Sequence, residues 1–167
     1  MSRITVDRWQ AAQTAEFGHH QDLRLEAYIT ATNVIAKYFN IDYKKDFKDK
    51  VIVQVGAGPR GSILSTEGNF KRGIVVEPLI DRWPSDIRED YEKVGIEIIA
   101  APYEDLDIDE QVDETWFFNV VQHVFDPKEQ LELAKKSSKV VRVFESIGSG
   151  IDCLLYTSPS PRDDRSS

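Results

Sequence analysis

Cysteine is almost missing from this chain of 167 residues, in which Cys153 is the single example. One cysteine excludes an internal disulfide and a cysteine-based metal site. The histidines His19, His20 and His123 show no recognisable metal-binding spacing, so we predict no metal site. Because disulfides are typical of oxidising compartments, a reducing cytoplasm is the expected location.

Long apolar runs are also missing, and basic residues are in the minority. No run approaches the roughly 18 residues needed to cross a bilayer, and the first five residues lack the apolar core of a signal peptide. The chain has 21 Lys and Arg residues against 29 Asp and Glu residues, for a net charge of −8. This balance argues against a large phosphate-binding surface. We therefore expect a small-molecule partner and no membrane, and nucleic acid is disfavoured.

The length allows one domain with a real core. The first forty residues predict two helices. Trp9, Ala12 and Phe17 fall on one side of the first. The second has apolar residues at steps of three and four, which predicts a buried stripe: Ala27, Ala31, Val34, Ile35 and Tyr38.

After these helices, short apolar runs alternate with polar stretches that suit helices. The runs are Val51 to Val55, Ile74 to Val76, Ile96 to Ile99, Trp116 to Phe118 and Val140 to Phe144. The helical stretches between them are Ser62 to Phe70, Asp81 to Lys93, Glu104 to Gln111 and Asp126 to Lys136. Alternation of this kind predicts an α/β fold, a three-layer α/β/α Rossmann-like sandwich with a mostly parallel sheet. Right-handed crossovers then predict the strand order 3-2-1-4-5.

A glycine-rich loop directly follows the first predicted strand. Gly56, Gly58 and Gly61 allow a tight turn and close approach of the main chain to a ligand. Glu77 ends the next strand, where a carboxylate can accept hydrogen bonds from both ribose hydroxyls of a nucleoside cofactor. This pair of features fits either a dinucleotide or S-adenosylmethionine.

The segment from Phe117 to Pro127 decides between them by resemblance. It is similar to the fourth-strand motif of class I S-adenosylmethionine-dependent methyltransferases, often N-V-L-E-H-V-x-D-P. Val51 to Gly61 resembles that family's first motif, and Pro102 to Leu106 its loop around adenine. The resemblance covers about Val51 to Glu145, and two helices before the first strand are also uncommon in dinucleotide domains.

The resemblance implies S-adenosyl-L-methionine as cofactor and methyl transfer to an unidentified small molecule. It implies that the cofactor is bound by Gly56, Gly58, Gly61, Glu77, Leu79, Tyr103, Glu104 and Asn119. Arg60 would lie near the methionine carboxylate. His123 is the candidate general base, with a purely structural histidine as the alternative. Leu79 is equally well explained as an ordinary core residue.

Two positions depart from the family's pattern. Gln54 stands where the family usually has Asp or Glu. Pro102 stands where an acid often accepts a hydrogen bond from the adenine amino group, so Glu104, Asp105 or main-chain groups would replace it. The alternatives to a methyltransferase are an NAD(P)-binding oxidoreductase fragment and a non-catalytic scaffold that keeps the pocket.

We divide the chain into three segments. Residues 1–46 form a helical lid, in which Trp9, Gln13 and Glu16 resemble the substrate side of some family members. Residues 47–152 form the cofactor-binding domain, which we expect to be cut short, since the family normally has two strands after the fifth. Residues 153–167 resemble the translation of a sequencing-library adapter and are interpreted as a non-native tail; a disordered Ser/Pro-rich tail is the alternative.

Overall fold

A computed structural model describes residues 5–22, 25–108 and 110–146. Its helices are α1 (Val6–Asp22), α2 (Leu25–Phe39), α3 (Ser85–Lys93) and α4 (Pro127–Ser137). Its strands are β1 (Val51–Val55), β2 (Arg72–Val76), β3 (Ile96–Ile99), β4 (Val112–Phe118) and β5 (Ser138–Phe144). The tail at 153–167 lies outside the described residues. Within them, none of the helices combines the length and apolar character needed to cross a membrane.

The five strands form one parallel sheet in the order β3-β2-β1-β4-β5, which confirms the predicted order. The central strand β1 is buried along its whole length. There Val53 lies opposite Ile74 of β2 and Thr115 of β4. A β-branched, unbroken apolar run is what a strand covered on both faces requires.

Helices cover both faces of the sheet, as predicted. Alternate residues of β1 point to opposite faces. Ile52 belongs to an apolar cluster with Ile35 of α2 and Tyr91 of α3. Val53 belongs to a second cluster, which includes Ala134 of α4. The result is a three-layer arrangement with the sheet in the middle.

Three of the predicted helical stretches are wrong in part. Ser62 to Phe70 is a 3₁₀ segment over Ser62–Thr66, and the described part of Glu104 to Gln111 is helical only where it overlaps the 3₁₀ turn Tyr103–Asp105. The stretch from Asp81 starts as a 3₁₀ turn, Ile80–Arg82, before α3 begins. By contrast, α4 begins as predicted, because the Asp126 side chain caps it by accepting a hydrogen bond from the Glu129 N–H.

The predicted stripe of α2 is also wrong, since only Ile35 of its five residues is buried. Val34 is 50% exposed and Tyr38 is 70% exposed. Ala27 and Ala31 line a cavity instead of packing. The apolar pattern does not predict burial here, because the inner side of α2 borders this cavity as well as the core.

Candidate functional site

A cavity of about 880 Å³ lies between the carboxyl edge of the sheet and helices α1 and α2. The carboxyl edge is where ligands bind in open parallel sheets. Eight of the nine predicted site residues line this cavity: Gly56, Gly58, Gly61, Glu77, Leu79, Glu104, Asn119 and His123. Tyr103 does not. Among the described residues, no group of three or more His, Cys, Asp or Glu side chains could together hold a metal ion.

The glycine loop turns sharply at the end of β1. Gly56 and Gly58 both have a φ of +61°, in the left-handed region that side chains disfavour. A Cβ atom on Gly56 would lie 2.1 Å from Cγ2 of Val120, which follows β4. Only glycine therefore allows the loop to pass this close to the neighbouring strand end.

The side chain of Tyr91 from α3 braces this loop. Its hydroxyl accepts a hydrogen bond from the Gly61 N–H and donates one to the Gly58 carbonyl, both at 2.7 Å. Tyr91 is fully buried, and burial raises the pKa of its hydroxyl far above the ordinary value. Sequence reasoning missed this residue, because nothing in the pattern of α3 separates it from an ordinary core tyrosine.

Gln54 supports the loop from β1. Its side-chain carbonyl accepts a hydrogen bond from the Ile63 N–H at 2.8 Å, and Gln54 is only 2% exposed. A neutral amide thus holds the start of the 3₁₀ segment at the position where the family usually has an acid. Ser62, the first residue of this segment, has its hydroxyl 3.1 Å from the hydroxyl of Thr32 in α2.

Glu77 lies directly after β2 and is 5% exposed. One carboxylate oxygen accepts a hydrogen bond from the Gly58 N–H at 2.8 Å, and the other accepts one from the Leu79 N–H at 2.9 Å. Each carboxylate oxygen can accept more than one hydrogen bond. The carboxylate is therefore fixed in place at the cavity wall and keeps acceptor capacity for a ligand.

Leu79 and Arg60 both line the cavity and also contact other parts of the protein. Leu79 is 5% exposed and belongs to the core, yet it also lines the cavity. Leu79 is therefore a core residue that also borders the cavity, and its contact with a cofactor stays a prediction. Arg60 also lines the cavity, and its guanidinium forms an ion pair with Asp90 of α3.

The 3₁₀ turn after β3 carries two predicted cofactor-binding residues, Tyr103 and Glu104, and their side chains have different surroundings. The ring of Tyr103 packs edge-on against Phe117, with ring centroids 5.7 Å apart, and it is 3% exposed. This side chain is part of the core, so the structure does not bring it to the cavity. Glu104 does line the cavity, and both of its carboxylate oxygens are buried without a hydrogen-bond partner.

The end of β4 is held by two polar side chains. Asn119 has a φ of +55°, which asparagine tolerates better than most residues, and its side chain accepts a hydrogen bond from the Ser146 N–H at 2.7 Å. One oxygen of Glu145 accepts hydrogen bonds from the N–H groups of Val120 and Val121 at 2.9 and 2.6 Å. Burial raises the pKa of Glu145, although these two hydrogen bonds oppose the effect. No sequence signal had marked Glu145.

His123 ends a 3₁₀ turn after β4 and is partly exposed at the cavity wall. Its Nε2 lies 3.1 Å from the side-chain amide of Gln122. Nearby, Trp9 of α1 packs edge-on against Phe125, with ring centroids 6.3 Å apart. The ring contact joins the N-terminal helices to the wall that carries His123.

No protein-family model matches this chain, and no curated protein matches it. Solved structures do. Phosphoethanolamine N-methyltransferase 1 from Haemonchus contortus, in complex with phosphoethanolamine and S-adenosylhomocysteine, is 15% identical with a TM-score of 0.63. The match covers 86% of this chain and 33% of that one.

Two further structures are similar. One is a putative methyltransferase from an antibiotic biosynthesis pathway of Anabaena variabilis, at 18% identity and a TM-score of 0.53, covering 81% of this chain and 57% of that one. The other is the Burkholderia thailandensis 1,6-didemethyltoxoflavin-N1-methyltransferase with bound 1,6-didemethyltoxoflavin and S-adenosylhomocysteine, at 15% identity and a TM-score of 0.51, covering 78% and 56%.

These likenesses show the fold. With its strand order and flanking helices, the chain has the Rossmann-like fold of class I methyltransferases. The chain spans between 33% and 57% of the lengths of these three proteins.

Proposed function

We propose that this chain binds S-adenosyl-L-methionine and transfers its methyl group to a small-molecule acceptor. The observation that carries the proposal is the cavity, where a glycine loop, a fixed carboxylate and an unpartnered carboxylate follow β1, β2 and β3 in turn. Two similar folds were solved with S-adenosylhomocysteine, the product that such a methyl transfer leaves behind.

The loop favours S-adenosylmethionine over a dinucleotide. Dinucleotide sites place the pyrophosphate at the N-terminus of an α-helix. Here the loop leads into 3₁₀ segments, Gly58–Arg60 and Ser62–Thr66, and not into an α-helix.

The described residues suggest where each part of the cofactor is held. Gly56, Gly58 and Gly61 let the main chain approach the methionine end, and Glu77 accepts hydrogen bonds from the ribose. Leu79 and Asn119 line the walls, and Glu104 accepts from the adenine amino group in place of an acid at Pro102. The unpartnered oxygens of Glu104 are the structural sign that a donor-bearing ligand fits here.

The bound cofactor would supply an activated methyl group on a sulfonium. The protein then has to align the acceptor with the sulfur–carbon bond and exclude water. Helices α1 and α2 cover the cavity with Trp9, Gln13 and Tyr28, which suits this task. In this proposal His123, which lines the cavity, takes a proton from a hydroxyl or ammonium acceptor.

The binding step is tested by titration calorimetry with S-adenosylhomocysteine and, separately, with NAD. We expect heat with the first ligand and none with the second. Heat with NAD alone would overturn the proposal in favour of an oxidoreductase fragment. Binding of S-adenosylmethionine without methyl transfer to any of a panel of small amines, hydroxyls and thiols would favour the non-catalytic scaffold.

The base role is tested with His123→Ala. If His123 accepts the proton, turnover should fall by about 10²–10⁴ while cofactor affinity stays the same, and the acid limb of the pH–rate profile should disappear. Lys128→Ala is the control, since Lys128 is exposed on α4 and does not line the cavity. A loss of unfolding free energy that parallels the loss of turnover would instead mark His123 as structural.

We propose the reducing cytoplasm as the location, because a chain with a single cysteine has no internal disulfide of the kind typical of oxidising compartments.

A further inference from the structure

Helix α4 presents one stripe of residues to the turn that carries Glu104. Gln130, Ala134 and Ser137 follow each other at steps of four and three, so they lie on the same side of the helix. Ser137 Oγ lies 3.4 Å from the hydroxyl of Tyr103 in that turn. Gln130 is therefore on the side of α4 that faces the 3₁₀ turn Tyr103–Asp105.

Gln130 is only 3% exposed, and its side-chain oxygen has no hydrogen-bond partner. It lines the same cavity as Glu104, whose two carboxylate oxygens are also buried and unpartnered. A buried acceptor without a partner costs free energy, and native structures contain few of them. Three such oxygens on two side chains that line one cavity indicate a ligand that brings N–H or O–H donors.

The three oxygens are all acceptors, which restricts the chemistry of the ligand group. An exocyclic amino group on an aromatic ring offers two N–H donors in one plane. A ring carbonyl at the same place would direct a lone pair at these oxygens and be rejected, because buried polar groups would stay unpaired.

We propose that Gln130 and Glu104 together select the base of the cofactor, each accepting one N–H of the adenine amino group. The assignment rests on the proposed function and adds Gln130 as a second acceptor from a separate element. Gln130 is thus a specificity-determining residue, and it replaces part of what Pro102 cannot supply.

The test compares S-adenosylhomocysteine with S-inosylhomocysteine, in which a carbonyl replaces the amino group. Calorimetry is carried out on the full chain, on Gln130→Met and on Gln111→Met, a matched control at an exposed glutamine. We expect the unaltered chain and the control to prefer the adenosyl ligand by at least about tenfold. In Gln130→Met, affinity for the adenosyl ligand should fall about five- to tenfold, while affinity for the inosyl ligand should not fall, because one repelling oxygen is removed.

Thermal unfolding without ligand separates this role from a structural one. Methionine removes an unpaired buried amide oxygen, so Gln130→Met should be at least as stable as the unaltered chain. Equal losses of affinity for both ligands, or an unchanged preference, would overturn the inference. Gln130→Leu repeats the comparison if the methionine variant folds poorly. Failure of the unaltered chain to bind S-adenosylhomocysteine would be a different result, because it would count against the proposed function itself.

Discussion

At the amino end of the sheet, buried carboxylates are paired with cations. Glu114 of β4 is 1% exposed and accepts hydrogen bonds from Lys50 at 2.7 Å, from Arg142 at 2.7 Å and from the indole of Trp116 at 2.9 Å. Beside it, Asp113 accepts from Lys139 and from the Val51 N–H. Burial alone would raise the pKa of Glu114, but these hydrogen bonds outweigh it and hold the pKa below its ordinary value.

At the carboxyl end, the carboxylates have different partners. Glu145 is held by two main-chain N–H groups, Glu77 accepts from the N–H groups of Gly58 and Leu79, and the oxygens of Glu104 have no hydrogen-bond partner. The amino end thus holds its carboxylates with cationic side chains, whereas main-chain N–H groups hold Glu77 and Glu145 at the carboxyl end.

The largest effect on unfolding free energy is expected at the amino end, where cationic side chains hold Glu114. Glu114→Ala leaves Arg142 and Lys50 without their buried partner and should lower the free energy of unfolding by about 3–5 kcal/mol, measured in urea. Glu97→Ala is the control, because Glu97 pairs with Arg72 on the surface with its side chain 50% exposed. That variant should lose less than about 1 kcal/mol. Equal losses would show that burial of Glu114 gives its ion pairs no greater weight than that of an exposed pair.

The carboxyl end depends on main-chain geometry, which Gly56→Ala tests. The new Cβ would meet Val120 at 2.1 Å and force a side chain into a φ of +61°. We expect a loss of about 2–5 kcal/mol in unfolding free energy. Gly95→Ala is a matched control, since Gly95 has a φ of +78° with no atom within 4 Å of the added Cβ. It should lose only about 1–2 kcal/mol, so similar losses would show that the close approach to Val120 has no role.

The sequence predicted the sheet well because strand patterns depend on burial. All five apolar runs became strands, and their order followed from general rules of chain connection. The short helices were predicted less well, because the choice between α and 3₁₀ at Ser62–Thr66 is coupled to contacts with Gln54 and Thr32. Such contacts join distant segments and leave no periodic signal.

The same reason separates the predicted site residues from the missed ones. Gly56 and Glu77 belong to a local motif with a fixed spacing, so the sequence was sufficient to identify them as candidate residues, and both line the cavity. Tyr91 and Glu145 accept hydrogen bonds from main-chain groups of other segments, and only the topology brings those groups together. Neither stands out in its own stretch of sequence.

A smaller effect is expected from Glu77→Ala, and it should fall on ligand affinity. Loss of charge-assisted hydrogen bonds to the ribose should weaken binding of S-adenosylhomocysteine by about 1–3 kcal/mol in calorimetry. Glu89→Ala, at an exposed position of α3, should leave affinity unchanged. Because Glu77 also accepts from the Gly58 N–H, unfolding is measured in parallel. A variant that loses stability but keeps its affinity would place Glu77 with the structural carboxylates of the amino end.

The smallest effect concerns pH, and it has opposite signs at the two ends. The pKa of Glu145 is raised in the folded state, so folding is favoured below its ordinary pKa of 4.5 and this contribution is lost as pH rises through the raised value. The pKa of Glu114 is lowered, so its contribution is present above 4.5 and is lost as pH falls through the lowered value.

Two neutral variants isolate these contributions. Glu145→Gln keeps an acceptor oxygen for Val120 and Val121 but cannot ionise, so its unfolding free energy relative to the unaltered chain should improve between about pH 4 and pH 7. Glu114→Gln should become relatively less stable over the same range, because the unaltered chain gains the ionised carboxylate beside Arg142. Urea unfolding at the two pH values measures both, and trends of the same sign would contradict the opposite pKa shifts of the two carboxylates.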